Sequence, residues 1–250
     1  MKKTFAVKDW VFGAGMPKIC VPIVETTREA IWEKAEEIAE LPVQIVEWRV
    51  DFYEDVFCTD KMLDTLQGLR ERLKEKALLF TFRTKGEGGN LPVEKDRYYE
   101  LNQAAAASGY ADLVDLEAFL DEEQTPVRIR KLKEAGSRVI TSNHDFQKTP
   151  PVEEMERRLR QMEEMGADVA KLAVMPAGRQ DVMDLLQATV SADEELQIPV
   201  VTMSMGRQGV LSRIAGELTG SAMTFAALGS TSAPGQIPVK EMVEILSALG

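Results

Sequence analysis

Short apolar runs alternate with longer charged stretches along most of this 250-residue chain. Four of the charged stretches carry apolar residues at three- and four-residue spacing, which is typical of amphipathic helices: 27–40, 60–76, 96–109 and 151–166. Eight apolar runs are each predicted to form a strand: 18–24, 43–52, 77–83, 111–117, 137–144, 168–175, 198–205 and 222–229. The pattern therefore predicts a repeated strand–helix unit.

Eight such units in about this length predict an α/β fold, a (β/α)₈ TIM barrel that forms a single domain over residues 1–250. Parallel strands covered on both faces form near-continuous apolar runs, as here. An open doubly wound sheet is the alternative, but no run is followed by a Gly-rich dinucleotide motif. The segment TFAVKDWVFGAG (4–15) has Lys8 and Asp9 between two extended pieces, so we expect a short hairpin that closes one end of the barrel.

Composition narrows the class of protein. The net charge of −11 argues against a nucleic-acid-binding surface or a surface for anionic membranes. Cys20 and Cys58 show no spacing typical of disulfides or zinc sites. The first ten residues lack the apolar stretch of a signal peptide, and no run reaches membrane-spanning length. We expect a cytoplasmic protein that acts on a small molecule.

Charged residues stand at the predicted strand ends, where barrel enzymes carry their reactive groups. Glu47, Arg49 and Asp51 alternate in EWRVD, so we expect all three side chains on one face. Charges that face a barrel interior are costly unless they are paired or bind a ligand. The alternative is a surface ladder, but neither face of a parallel barrel strand is freely solvated.

Two more strand ends carry charges. The third run ends in Arg83, with Glu87 four residues later, and the fourth ends in Asp115 and Glu117 on one face. An arginine at a strand end suits a carboxylate or a set of hydroxyl groups. The alternative for Arg83 is a surface ion pair.

Lys171 stands in the middle of the apolar run DVAKLAVM, although lysine is rarely buried without a reason. A desolvated amine can attack a ketone and form an imine. The alternatives are a side chain that extends out of the barrel mouth or an ion pair with Asp115. His144, the only histidine, ends the preceding run. It is either a proton shuttle near neutral pH or a partly buried ring that holds a loop.

The last two runs add weaker candidates. Met203 and Met205 share one face, a pattern more common in cores than in sites, and Arg207 and Arg213 follow them. The polar loop STSAPGQIP contains Ser232 and Gln236, and it is predicted either as a lid over a substrate or as an ordinary connection.

Seven segments occur in one order: EWRVD, TFRTKGEGG, DLVDLE, ITSNHDF, VAKLAVM, VTMSMG with Arg213 downstream, and STSAPGQ. In this order they resemble the type I 3-dehydroquinate dehydratases, the Schiff-base-forming enzymes of the shikimate pathway to aromatic amino acids. The resemblance spans nearly the whole chain. It implies a hydro-lyase that converts 3-dehydroquinate to 3-dehydroshikimate by syn elimination. It also implies a fold similar to class I aldolases, no metal or organic cofactor, and a homodimer.

The resemblance also implies roles for individual residues. Lys171 matches the imine-forming lysine, His144 the general acid and base, and Glu87 the carboxylate beside that histidine. Arg213 matches the partner of the substrate carboxylate. The full set that matches the substrate pocket is Glu47, Arg49, Arg83, Met203, Met205, Arg213, Ser232 and Gln236. Asp115 and Glu117 match the carboxylates that end the fourth strand, without a defined role.

Three other functions remain open from the residues alone. A class I aldolase also carries an imine lysine on a barrel strand, but it often holds a substrate phosphate, for which GRQG (206–209) is a faint candidate. A metal-dependent enolising barrel would need a cluster of carboxylates or histidines. An inactive barrel could serve as a binding or regulatory protein, although the presence of both Lys171 and His144 favours an enzyme.

Overall fold

The computed structural model describes residues 4–249. The strands in this range are β1 (Phe5–Val7), β2 (Trp10–Phe12), β3 (Lys18–Ile23), β4 (Ile45–Arg49), β5 (Ala77–Thr81), β6 (Leu113–Glu117), β7 (Arg138–Asp145), β8 (Val169–Val174), β9 (Val200–Ser204), β10 (Met223–Ala227) and β11 (Ile237–Pro238). The helices are α1 (Arg28–Ala39), α2 (Thr59–Leu73), α3 (Lys95–Ala107), α4 (Thr125–Glu134), α5 (Val152–Glu164), α6 (Arg179–Glu195), α7 (Val210–Ile214), α8 (Gly216–Thr219) and α9 (Val239–Leu249).

Strands β3 to β9 lie side by side in chain order, β10 pairs with β3, and every neighbouring pair in this curled sheet is parallel. A bridge between Val200 and Ser221 joins its two ends, where the N–H of Ala222 donates to the carbonyl of Val200 at 2.8 Å. Strand β11 adds two residues beside β10. The predicted barrel is confirmed, and its eight strands correspond to the eight apolar runs.

Side chains alternate along each strand, so that apolar side chains pack against the helices and polar side chains face the barrel interior. In β4, Val46 and Trp48 face outward and belong to the apolar core that includes Ile31 of α1. Glu47 and Arg49, the residues between and after them, face the barrel interior. Since strand side chains alternate with a period of two, each barrel strand supplies one face to the helices and one to the interior.

The N-terminal hairpin closes the end of the barrel where the strands begin. Val7 of β1 and Phe12 of β2 are buried in one apolar cluster with interior side chains near the strand starts, among them Ile45, Leu113 and Val169. Lys8 turns the hairpin with a φ of 55°, and its amine forms an ion pair with Asp112 at 2.9 Å. The hairpin prediction is confirmed, and the opposite end is left for polar side chains.

The run 43–52 forms a shorter strand than its apolar pattern predicts. Strand β4 ends at Arg49, and Val50–Phe52 form one turn of 3₁₀ helix. Asp51 is fully buried in that turn, where its carboxylate accepts hydrogen bonds from the backbone N–H groups of Arg83 and Asn90. The expectation that Asp51 continues the alternating face is therefore wrong, because the chain has already left the strand.

Within residues 4–249, no helix has the length and apolar character needed to cross a membrane.

Candidate active site

A cavity of about 460 Å³ lies at the end of the barrel where the strands stop. The cavity is lined by every residue that the resemblance assigns to catalysis or to the substrate pocket: Glu47, Arg49, Arg83, Glu87, His144, Lys171, Met203, Met205, Arg213, Ser232 and Gln236. The other candidates at strand ends do not line it: Asp51, Asp115, Glu117 and Arg207. Gly88, Phe146, Ala173, Phe225 and Ala233 complete the wall. Side chains that are up to 189 residues apart in sequence, from Glu47 to Gln236, thus share one space.

Strand register places Lys171 and His144 at different depths. Ser142 of β7 lies beside Lys171 of β8, and His144 lies beside Ala173. His144 is therefore two residues, roughly 6–7 Å, closer to the mouth of the barrel than the level of Lys171. Both side chains face the interior, so a ligand can lie between them.

The amine of Lys171 is held at the base of the cavity. The residue is 3% exposed, and Nζ lies 3.1 Å from Oδ2 of Asp115 in β6. Nζ also lies 4.8 Å from the ring centre of Phe225 in β10, a distance at which a cation is attracted to an aromatic face. The predicted ion pair with Asp115 is therefore present, and the lysine also lines the cavity.

Asp115 is ionised because cations surround it. Its Oδ1 accepts hydrogen bonds from Nη2 of Arg83 at 2.8 Å and from Oγ of Ser142 at 2.6 Å. Burial alone would raise the pKa of Asp115, but Arg83 and Lys171 outweigh it and lower the pKa to about 2. The carboxylate beside Lys171 therefore carries a negative charge throughout the neutral range.

The guanidinium of Arg83 is largely occupied by the protein. Its Nη1 donates to Glu117 and to Ser142, at 3.0 Å each, while Nη2 donates to Asp115. Burial opposes the charge, but Asp115 and Glu117 raise the pKa of Arg83 well above its usual value. Arg83 orders these carboxylates, and its role as a substrate ligand stays a prediction.

Glu87 holds His144 through two contacts. One carboxylate oxygen, Oε2, accepts a hydrogen bond from the backbone N–H of His144 and also lies 2.9 Å from its Nδ1. The His144 side chain is 11% exposed and the Glu87 side chain 13%, so the pair is mostly shielded from water. The ring orientation is thereby fixed relative to the cavity.

Opposite pKa shifts act on this pair. Burial lowers the pKa of His144 well below its usual value, with help from the cations of Arg83 and Lys171. Burial and the charge of Glu117 raise the pKa of Glu87 from 4.5 to about 8, although Arg83 opposes the rise. His144 is therefore a neutral imidazole at neutral pH, and Glu87 changes its protonation state in the same pH range.

Asn143 holds Glu87 in place from outside the cavity, a role that sequence reasoning missed. Its Nδ2 donates to Oε1 of Glu87 at 3.0 Å, and its Oδ1 accepts from Nη1 of Arg158 at 3.0 Å. Arg158 lies on α5, outside the barrel. Alternation points Asn143 away from the interior, so the strand pattern excludes it, and its position beside the lone histidine is the only signal for it.

Arg213 differs from the other cavity arginines because it forms no ion pair with a carboxylate within residues 4–249. The residue is 2% exposed, and its Nη2 donates to the carbonyl of Pro234 at 2.9 Å. Its Nε and Nη1 have no hydrogen-bond partner within residues 4–249. Burial lowers the pKa of Arg213 to about 10. A buried guanidinium with unsatisfied donors suits a carboxylate that accepts two hydrogen bonds. Arg207, the other arginine that follows the seventh run, is exposed at the surface.

Glu47 and Arg49 supply fixed polar groups from β4. Glu47 is buried and accepts a hydrogen bond from Oγ1 of Thr81 at 2.9 Å. Arg49 donates to both carboxylate oxygens of Asp51, each at 2.8 Å. Nη1 of Arg49 lies 3.4 Å from the carbonyl oxygen of Ser232, so it connects the strand to the loop above.

The loop at 228–236 lies against the cavity mouth. Within it, Nε2 of Gln236 donates to Oγ of Ser232 at 3.0 Å, and the N–H of Ser232 donates to Oε1 of Gln236 at 3.1 Å. The N–H of Gly206 donates to the carbonyl of Pro234 at 3.1 Å. With the contacts of Arg49 and Arg213, these hydrogen bonds fasten the loop to the barrel rim.

Comparison with known proteins identifies the family. The sequence model described as Type I 3-dehydroquinase matches residues 19–250. The chain belongs to this family. A 3-dehydroquinate dehydratase of Listeria welshimeri is 48% identical over 243 residues, which are 97% of this chain and 96% of the relative. The resemblance found in the ordered motifs is therefore confirmed.

Solved structures of the type I 3-dehydroquinase family share the fold. A type I 3-dehydroquinate dehydratase of Clostridium difficile, described with covalently modified comenic acid, has a TM-score of 0.97 and 42% identity, covering 100% of this chain and 98% of that one. A 3-dehydroquinate dehydratase of Geobacillus kaustophilus has a TM-score of 0.95 and 40% identity, covering 99% of this chain and 96% of that one. The barrel described above is thus the fold of the family.

Proposed function

We propose that this enzyme, a hydro-lyase of the type I 3-dehydroquinase family, removes water from 3-dehydroquinate through an imine on Lys171. The observation that carries the proposal is the position of Nζ. The amine is buried at the base of the cavity beside the ionised carboxylate of Asp115. His144, the only histidine of the chain, lies two residues closer to the mouth of the barrel. An imine converts the substrate ketone into an electron sink.

Lys171 carries the first covalent step. The ammonium first gives up one proton, and the neutral nitrogen then attacks the ketone carbon. The ketone oxygen takes up that proton and a second one from the nitrogen and leaves as water, so that a carbon–nitrogen double bond replaces the carbonyl. The protonated imine then withdraws electrons from the neighbouring CH₂ group. Hydrolysis of the product imine returns the free lysine, and no oxidation or reduction occurs in the cycle.

His144 carries the proton transfers. When Glu87 is ionised, Nδ1–H of His144 donates to Oε2, and the lone pair of Nε2 is free to accept the proton from the CH₂ group. The electron pair of that C–H bond forms the enamine. The enamine expels the hydroxyl, which leaves as water with a proton from Nε2–H. General acid–base assistance of this kind contributes roughly 10²–10⁴-fold to a rate.

The remaining cavity residues position the substrate. We assign the substrate carboxylate to Arg213, whose Nε and Nη1 lack partners within residues 4–249. Glu47 and Arg49 face the hydroxyl groups from one side, and Ser232 and Gln236 face them from the loop. Met203 and Met205 form an apolar wall beside the ring carbons. Placing reactants in this way converts binding energy into rate.

Borohydride trapping tests the imine. Reduction in the presence of 3-dehydroquinate should inactivate the enzyme and attach ligand mass to the peptide that contains Lys171. Lys171→Ala should remove the adduct and nearly all turnover while circular dichroism stays unchanged. Lys148→Ala, at an exposed lysine four residues after His144, is the matched control and should be trapped normally. An adduct on another residue, or turnover with no adduct, overturns the mechanism.

Stereospecific labelling tests the role of His144. One ring serves as both base and acid, so the proton and the hydroxyl should leave from the same face of the substrate, a syn elimination. With deuterium placed stereospecifically on the CH₂ group, the label syn to the hydroxyl should be lost. His144→Ala should still form the imine but should turn over slowly. Loss of the anti label would show that a second group is needed.

Three further expectations stay predictions. We propose that the chain is a homodimer, that it acts in the cytoplasm and that residues 1–250 unfold as one domain. Light scattering of the purified protein measures its mass in solution, and fractionation of the source cells locates it. A single calorimetric transition supports one domain, and two separate transitions contradict it.

A further inference from the structure

The two carboxylate oxygens of Asp115 have different partners. Oδ1 accepts from Arg83 and from Ser142, while Oδ2 accepts from Nζ of Lys171 at 3.1 Å. Asp115 has no solvent exposure. The contacts of Oδ1 fix the carboxyl plane, so Oδ2 keeps its position whether Lys171 carries an ammonium or a bound substrate.

We propose that Asp115 is a catalytic residue whose Oδ2 keeps the imine nitrogen of Lys171 protonated during the elimination. The inference rests on the imine mechanism proposed above. A protonated imine retains one N–H, and this N–H can donate to Oδ2 as the ammonium does. An anion at this distance in a site shielded from water strongly favours the cationic form of its partner.

Charge balance supports this role. The ammonium of Lys171 and the ketone give a protonated imine and water, so two protons leave with the oxygen and one stays on nitrogen. The positive charge beside Asp115 is therefore the same before and after imine formation. It disappears when the enamine forms, because the electron pair of the C–H bond ends on nitrogen. The positive charge returns to nitrogen when the hydroxyl leaves and the imine forms again, and Asp115 stabilises this charged imine.

Asp115 is the carboxylate placed for this task. Within residues 4–249 it is the one that lies within ion-pair distance of Nζ. Glu117, on the same strand face, accepts instead from Arg83 and from the N–H and hydroxyl of Thr84. Glu47 accepts from Thr81.

Other titratable and charged groups surround Lys171 and contribute to its environment. Burial raises the pKa of Cys20 in β3 and lowers that of His144 in β7, and the positive charge of Lys171 acts to lower both. The charged groups that share the cavity wall with it are Glu47, Arg49, Arg83, Glu87 and Arg213. A test must therefore separate the removal of Asp115 from the general loss of a buried carboxylate.

The pH dependence of borohydride trapping provides that test, since borohydride reduces the protonated imine. In Asp115→Asn, the upper pH limit of trapping with 3-dehydroquinate should fall by about 1–3 units, the effect of one close opposite charge. Turnover should fall more at high pH than at low pH. Glu117→Gln removes a buried carboxylate from the same strand without touching Nζ, and its trapping limit should match the unmodified enzyme.

The outcomes are distinguishable. An Asp115→Asn variant that is trapped up to the pH limit of the unmodified enzyme overturns the inference, and so does an equal shift in Glu117→Gln. Absence of any Lys171 adduct in the unmodified enzyme instead overturns the imine mechanism itself.

A measurement on the unmodified enzyme applies even if Asp115→Asn does not fold. The Raman frequency of the enzyme-bound C=N bond shifts in D₂O only when nitrogen is protonated. The shift should persist across the active pH range, and its loss near neutral pH overturns the inference.

Discussion

Nη2 of Arg213 lies 2.9 Å from the carbonyl oxygen of Pro234, so the buried arginine and the loop over the cavity hold each other. Arg213 comes from α7, whereas Pro234 lies between β10 and β11. The same guanidinium keeps Nε and Nη1 without partners within residues 4–249. One side chain therefore connects the position of the loop to the group that binds the substrate carboxylate in the proposed mechanism.

Replacement of Arg213 should separate charged from neutral ligands. Arg213→Ala should weaken binding of carboxylate-bearing ligands by about 2–5 kcal/mol, the usual cost of losing a buried charged partner. Neutral analogues should lose far less. Arg207→Ala, at an exposed arginine in the preceding turn, is the control and should bind both ligand types normally. Calorimetric titration measures both affinities, and equal weakening for the two ligand types would assign Arg213 a structural role.

Two glycines in the loop allow a matched test of loop position. Gly235 has a φ of +80°, and a Cβ there would lie 2.3 Å from the carbonyl oxygen of Gly206. Gly229 has a φ of +77°, but a Cβ there would meet nothing within 4 Å. Both alanine variants place a Cβ at a similar positive φ, and Gly235→Ala alone also brings that Cβ against backbone, so it should push the loop off the rim. Its KM should rise at least several-fold more than that of Gly229→Ala in steady-state kinetics.

Glu87→Gln should lower the activity of the enzyme and raise its stability at high pH. The pKa of Glu87 rises from 4.5 to about 8 in the folded protein, so the native carboxyl holds its proton more tightly than the unfolded one. The contribution of Glu87 to the free energy of unfolding should therefore fall as pH rises from 4.5 to 8, by at most about 1.4 kcal/mol per pH unit. The glutamine variant lacks this fall. Urea unfolding at several pH values should show it to be the more stable protein above pH 8, although it turns over slowly.

Asn143 should adjust the pH at which the enzyme becomes active. Its hydrogen bond favours the ionised form of Glu87 and lowers the pKa of that carboxyl. Asn143→Ala should raise this pKa further, so the acid limb of the kcat profile should move to higher pH. Substrate affinity should change little, because Asn143 is not among the residues that line the cavity. An unmoved acid limb with reduced kcat at every pH would contradict this positioning role.

Local periodicity was sufficient to predict the fold and the inner face of each barrel strand. Periodicity does not reach Arg213, Ser232 and Gln236, which lie outside the strands and were assigned through the resemblance of the ordered motifs. The period of two placed Trp48 on the outer face and Glu47 on the inner face. The same period also places Thr81 and Ser142 on the inner face, two positions before Arg83 and His144. Both turn out to donate hydrogen bonds to buried carboxylates.

The pairing of charges could not be predicted in the same way. It depends on the stagger between neighbouring strands, which periodicity within one strand does not define. Arg83 reaches Asp115 and Glu117 on β6, and these contacts leave Arg213 as the cavity arginine with free donors in the described chain. The end of β4 before Asp51 was equally hard to predict, because a 3₁₀ turn and a longer strand can have the same apolar pattern.

The hairpin determines how molecules reach the cavity. Val7 and Phe12 fill the end of the barrel where the strands begin, so substrate and product pass the same rim, beside the 228–236 loop. A change that alters only this passage raises or lowers the barrier to entering and leaving together. Association and dissociation rates then change by one common factor and the equilibrium affinity stays constant. A slower loop would consequently lengthen the residence time of an inhibitor without making it bind more tightly.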